Sequence, residues 1–145
     1  MFNGTYLHTV DAKGRINIPA RLRKNLAPEA NDSFMMTRGT AACIDLYPLN
    51  AWAKVEEDLN NLNLYNPQQA RFVRLTLQYA VDDKMDSQSR ILIPQVLLDY
   101  AKIEKDVLIL GVLRKIEIWN PKIFEEYKDA GEDTYEQIAE KVMAG

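Results

Sequence analysis

The chain has 145 residues, 47% of them hydrophobic and 27% charged, with a net charge of −3. That balance is ordinary for a globular protein and suits one compact domain or two tightly fused half-domains, while no apolar run approaches the roughly 18 residues needed to span a bilayer. The single cysteine, Cys43, excludes an internal disulfide framework and agrees with a reducing compartment; the N-terminus lacks the basic and apolar regions of a signal peptide, so a cytoplasmic protein is expected.

Residues 1–10 favour an extended strand through Phe2, Tyr6, Thr9 and Val10. Asp11-Ala-Lys-Gly14 is a turn, with an aspartate able to accept backbone N–H bonds two residues on and a glycine free to take positive φ. Ile16 and Ile18 then face one side of a short strand and Asn17 the other. Pro19 is expected as the first residue of a short helix whose apolar side is Leu22 and Leu26. A strand pair follows at Phe34–Arg38 and Cys43–Tyr47 around Gly39-Thr40. Leu49, Trp52, Val55, Leu59 and Leu62 recur at helical spacing; Asn66-Pro67 breaks the run, and a second helix puts Phe72, Leu75 and Tyr79 on one side.

The cycle then restarts. Asp11-Ala-Lys-Gly-Arg15-Ile-Asn-Ile-Pro19 returns 75 residues later as Asp86-Ser-Gln-Ser-Arg90-Ile-Leu-Ile-Pro94, and Leu97 matches Leu22 at the same offset. Residues 80–85 stand for the first strand, Val107–Gly111 and Lys115–Trp119 for the second pair, and Asn120-Pro121 opens a helix where Pro48 does, 73 residues on. Tyr135, Ile138, Ala139 and Val142 mark a last short amphipathic helix. The expected fold is mainly β with short helices. Each half has too few strands for a secure core of its own, so the halves should interleave. Four segments are expected: a first unit at 1–48, connecting helices at 49–79, a second unit at 80–121 and C-terminal helices at 122–145.

The two copies differ in charge. Residues 11–26 hold Lys13, Arg15, Arg21, Arg23 and Lys24 against Asp11, a net +4, whereas 86–101 is net −1 and the tail from Glu117 onward net −5. An aspartate four residues before an arginine can hold the guanidinium in a fixed direction, and a positioned guanidinium suits phosphate or a guanine edge. The pair can equally be an intramolecular clip. The basic cluster around the first copy carries the nucleic-acid reading, because nothing apolar demands that clustering. Leu92, apolar where Asn17 is polar, suggests that the second strand is the more buried, in a subunit contact.

Enzyme chemistry is poorly supplied. His8 is the only histidine and reads as structural or surface, Cys43 reads as a small buried hydrophobe, and the six glycines are too scattered for a phosphate-cradling loop. Asp82-Asp83 with Asp86 reads as a solvated acidic turn. No catalytic residue, metal, cofactor or small-molecule substrate is expected.

The paired Asp-x-x-x-Arg turns, each followed by Ile-x-Ile-Pro, together with Phe2-Asn-Gly-Thr-Tyr6 and Ile116-Glu-Ile-Trp-Asn-Pro121, resemble the MraZ family from about residue 1 to 128. The halves of that family are similar to the AbrB/SpoVT-type DNA-binding domain, so the resemblance implies a pseudo-twofold, duplicated swapped-hairpin β-barrel. It implies a ring-forming, cytoplasmic, nucleoid-associated transcription factor that acts on the promoter of its own cell-wall and division gene cluster. The family's motif positions fall on Asp11, Arg15, Asp86 and Arg90, although the second turn lacks the Lys-Gly of the first.

The expected function is therefore sequence-specific binding of repeated short sites in double-stranded DNA by a closed homo-oligomer. Lys13, Arg15, Arg21, Arg23 and Lys24 would make the contacts, and Asp11, Asp86 and Arg90 would position the turns. One alternative is an AbrB-like antitoxin that neutralises a partner protein through its acidic C-terminal helix; another is a purely structural scaffold.

Overall fold

The computed structural model describes residues 1–144. In chain order the first copy supplies β1 (Thr5–Thr9), β2 (Arg15–Asn17), α1 (Ala20–Arg23), β3 (Ser33–Arg38), β4 (Ile44–Pro48), α2 (Leu49–Asn60) and α3 (Pro67–Leu77). The second supplies β5 (Val81–Lys84), β6 (Arg90–Leu92), α4 (Gln95–Tyr100), β7 (Asp106–Val112), β8 (Lys115–Trp119), α5 (Pro121–Asp129) and α6 (Tyr135–Met143). The order is the same in both copies, each ending in a helical pair.

Local chemistry explains the boundaries. Pro19 and Pro94 cap α1 and α4 with φ of −54° and −58°. They sit one position before the helix rather than as its first residue, because an extended ψ near 140° carries the chain out of the strand. Asn66 and Asn120 accept bonds from the next free backbone N–H groups, and Pro67 and Pro121 follow as first helical residues, where the missing N–H costs nothing. The helix cap after β4 is Pro48 and the one after β8 is Asn120, so equivalent positions here lie 72 apart, not the 73 that proline matching suggests.

Two sheets form. Six antiparallel strands run in the order β1-β7-β8-β4-β3-β5, and β2 pairs with β6 as a separate ribbon. The first strand of each copy pairs with the other copy: β1 with β7, and β5 with β3. Equivalent positions face each other at two places, Ile16 opposite Ile91 in the ribbon and Asp45 opposite Glu117 between β4 and β8.

The closed β-barrel expected from the family resemblance is not formed: the larger sheet is open, with β1 and β5 as edges. β2 and β6 pair with each other and with no strand of the larger sheet, so they do not stitch those edges together. Asp82, Asp83 and Lys84 leave the β5 edge charged, which discourages further pairing. The fold is also mixed rather than mainly β. Among the described residues the six helices hold more residues than the eight strands, because each copy carries a helical pair outside the sheet.

One apolar cluster joins the copies. Ile16, Ile18, Ile91 and Ile93 on the underside of the ribbon are buried with Phe34, Met36, Ile44, Leu46, Ile109, Ile116 and Ile118 of the sheet. Neither copy holds a core of its own residues alone. The second ribbon strand is no more buried than the first, since both alternate alike and Leu92 is 49% exposed. Phe72 and Leu75 of α3 and Tyr79, expected together on one helix side, lie substantially in solvent, and α3 ends at Leu77, two residues before Tyr79.

Candidate nucleic-acid interface

The two turns are built identically, bond for bond. Oδ1 of Asp11 accepts from the backbone N–H groups of Lys13 and Arg15, each at 2.9 Å, while Oδ2 accepts from Nε of Arg15 at 2.7 Å. Asp86 does the same for Gln88 and Arg90, with Nε of Arg90 at 2.8 Å. Each aspartate thus closes its turn and fixes its arginine. The backbone N–H of Arg15 foremost, and likewise that of Arg90, holds the Asp11 and Asp86 carboxyls below the usual carboxylate range. Nε takes the aspartate in each turn, and the terminal nitrogens of both guanidiniums make no hydrogen bond within the described residues, which leaves them available for a fork-like contact.

One backbone difference separates the turns. Gly14 has φ of +87°, and a Cβ there would stand 3.1 Å from the Ile93 carbonyl oxygen; Ser89 occupies the matching place at +61°. The left-handed conformation is free for glycine and strained for serine.

Pairing of β2 with β6 puts both turns on one surface. With the isoleucines inward, Arg15, Asn17, Arg90 and Leu92 form the outer face, and Nδ2 of Asn17 donates to the Gln88 carbonyl at 2.8 Å across the copies. Nη1 of Arg90 stands 4.0 Å from Oδ2 of Asp11. Three-residue strands are about 10 Å long, and a two-stranded ribbon of that size fits a major groove about 12 Å wide. Beside it, Lys13, Arg21 and Lys24 are exposed, whereas Arg23 is half-buried and its Nε donates to the Ile18 carbonyl at 2.9 Å. Arg23 therefore braces α1 against the ribbon with one nitrogen. Sequence spacing identified the two turns but not their adjacency, which places Arg90 beside the basic copy.

A second charged group went unread in the sequence. The ammonium of Lys115 lies 3.1 Å from carboxylates of both Asp45 and Glu117. Burial pushes the Asp45 carboxyl up, since one ammonium shared between two carboxylates does not fully offset it. Burial draws the Lys115 pKa down, but the two carboxylates raise it by more. Cys43 is fully buried beside them, its thiol pushed up by burial. Cys43, Asp45 and Glu117 are close enough to hold a metal ion, but Lys115 already supplies the cation. Cys43 packs with Leu108 and Trp119 in an apolar cluster, as a small buried hydrophobe does, while its thiol also donates to Oδ1 of Asp45 at 3.8 Å. His8 is half-buried on β1, opposite Val107. Asp83, read as part of a solvated turn, accepts from the Leu92 backbone N–H at 2.9 Å and so ties β5 to β6. Among the described residues no helix is long and apolar enough to cross a membrane.

The chain matches the family model described as "MraZ protein, putative antitoxin-like" over residues 1–75 and 77–143. It is 45% identical over 142 residues to the protein named transcriptional regulator MraZ of Clostridium tetani, covering 98% of this chain and 96% of the relative. The protein of the same name from Caldanaerobacter subterraneus is 41% identical over 140 residues, covering 97% and 95%. That from Natranaerobius thermophilus is 39% identical over 143 residues, covering 99% and 97%.

Proposed function

The chain belongs to the MraZ family, and from that premise we propose that it is a sequence-specific DNA-binding transcriptional regulator. In this reading it represses the promoter of its own cell-wall and cell-division gene cluster, binding repeated short sites as a closed homo-oligomer, and it works in the cytoplasm at the nucleoid. Its units, 1–48 and 80–121, are read as two fused swapped-hairpin AbrB/SpoVT-like domains, with the helices at 49–79 and 122–145 around them. The exchange of β1 and β5 between the copies supports this. The relatives' name is that of a regulator, not of an enzyme.

The observation that carries the proposal is the ribbon's outer face, where two aspartate-clipped arginines lie side by side next to exposed Lys13, Arg21 and Lys24. Arg15 reads base edges; Lys13, Arg21, Arg23 and Lys24 neutralise phosphates; Asp11, Asp86 and Arg90 hold the turns. One protomer offers few phosphate contacts, so its own affinity is modest. Several protomers on one DNA segment multiply that affinity through effective concentration. The test is a salt-dependent gel shift on DNA just upstream of the protein's coding sequence. Failure to bind that DNA at low salt would leave the antitoxin-like reading, which is favoured by the exposed apolar residues of α6.

A further inference from the structure

A cleft of about 360 Å³ opens where the β3–β4 hairpin meets α2, α3 and the end of α4. That volume lies within the range of small-molecule sites, about 300–1,000 Å³. Its walls include Tyr47, Val55, Leu59, Phe72, Leu75 and Tyr100, three of them aromatic rings. The exposed Phe72 and Leu75 of α3 thus belong to a concavity rather than to a bare helix face. Arg38 and Asp45 supply its charge.

The two charged groups are not paired with each other, and each has bonding capacity left over. Nε and Nη2 of Arg38 both donate to the Leu75 carbonyl in the last turn of α3. The guanidinium also lies 5.3 and 5.4 Å from the ring centres of Tyr79 and Tyr100, which fixes its place. Its third nitrogen, Nη1, makes no hydrogen bond among the described residues, and Arg38 takes part in no ion pair among them. Asp45 lies deeper, only 4% exposed. Its Oδ2 takes the Lys115 ammonium at 3.1 Å, but Oδ1 receives only the Cys43 thiol, a weak donor, at 3.8 Å. A Cβ on Gly39, a residue of the cleft wall, would stand 3.0 Å from Oδ1, so this oxygen is turned toward that wall. A buried carboxylate oxygen so poorly satisfied is costly in the free protein.

We propose that this cleft binds a small zwitterion with an aromatic body, an α-amino acid of the phenylalanine class. Its ammonium meets Oδ1 of Asp45, its carboxylate meets Nη1 of Arg38, and its ring packs among Tyr47, Phe72 and Tyr100. One free anion and one free cation face the same space, so a ligand carrying both charges pairs with both. A singly charged ligand leaves one of them unpaired. The cleft includes no residue of the β2–β6 ribbon, so the proposal goes beyond DNA binding and does not depend on it.

Saturation-transfer difference NMR on the full chain at neutral pH tests this with L-phenylalanine and two analogues that each lack one charge, phenethylamine and 3-phenylpropanoate. L-Phenylalanine should bind with a dissociation constant of about 1 mM or tighter, and each analogue on the order of tenfold or more weakly. Arg38→Gln should weaken L-phenylalanine by that factor and leave phenethylamine unchanged. Asp45→Asn should weaken it likewise and leave 3-phenylpropanoate unchanged. Should either variant fail to fold, the comparison of analogues on the parent decides. No binding of L-phenylalanine to the parent at about 10 mM would overturn the proposal. So would an analogue that binds as tightly as the amino acid, or a folded Arg38→Gln protein that keeps the parent's affinity.

Discussion

Nη1 of Arg90 stands 4.0 Å from the same Asp11 oxygen that Nε of Arg15 holds at 2.7 Å. A carboxylate of the first copy thus faces the arginines of both copies, whereas Asp86 is paired only with Arg90. The roles of the two aspartates differ accordingly. Asp11→Ala should weaken operator binding on the order of tenfold by releasing the fork that reads bases. Asp86→Ala should weaken it by less, because Arg90 keeps its contact with Asp11. Equal losses in a titration against labelled operator would show that the shared carboxylate does not organise the surface.

The unequal backbones of the turns predict opposite effects of glycine. Gly14→Ala should destabilise by about 1 kcal/mol or more, since positive φ and the nearby Ile93 carbonyl both oppose a Cβ. Ser89→Gly should stabilise by roughly 0.5–1 kcal/mol, once the entropy glycine adds to the unfolded chain is set against the relieved strain. Denaturant midpoints measure both, and a destabilising Ser89→Gly would contradict the account of the second turn.

Ile16 and Ile91 are paired, fully buried and members of one cluster. Ile16→Ala and Ile91→Ala should therefore each cost about 2–5 kcal/mol, and by similar amounts. With β1 and β5 exchanged between copies, unfolding should be a single transition in which fluorescence and circular dichroism coincide. Two separated transitions would mean that the halves fold independently.

Acid should loosen the turns. A carboxyl whose pKa is lower folded than unfolded contributes stability above the ordinary value near 4, and that stability is lost as pH falls through the lowered one. Asp11 and Asp86 are of this kind. Asp45, pushed up by burial, acts in the opposite sense, so the signal is the difference between the parent and Asp11→Asn with Asp86→Asn. That difference should be largest near neutrality and shrink below about pH 4. A difference that grows with acid would reverse the assignment.

The duplicated motif made the elements and both turns legible, because Asp-x-x-x-Arg-Ile-x-Ile-Pro is a local pattern with local geometry. That the halves interleave was legible, but the open sheet and the particular exchange of β1 and β5 were not, since pairing between strands so far apart in the chain leaves no mark on spacing. Periodicity set Phe72, Leu75 and Tyr79 on one helix side but gave neither the end of α3 at Leu77 nor the exposure of all three. The 3₁₀ turn Pro28–Ala30, ended by Asn31 and Asp32 at positive φ, lacked a distinctive pattern. The Asp45–Lys115 pair joins residues 70 apart, which only the β4–β8 ladder brings together.

The central claim is that the clipped arginines and the basic residues beside them bind DNA in a sequence-dependent way. The direct measurement is affinity for DNA upstream of the coding sequence and for a scrambled duplex, across a salt series, for the parent, Arg15→Ala, and Arg21→Ala with Lys24→Ala. The account predicts preference for the upstream DNA, and a loss of about 1–3 kcal/mol of that preference in Arg15→Ala. The double variant should weaken both duplexes alike and flatten the log–log salt slope by about one unit per lost phosphate contact. Equal parental affinity for both duplexes, or an Arg15→Ala protein with the parent's preference, would contradict it.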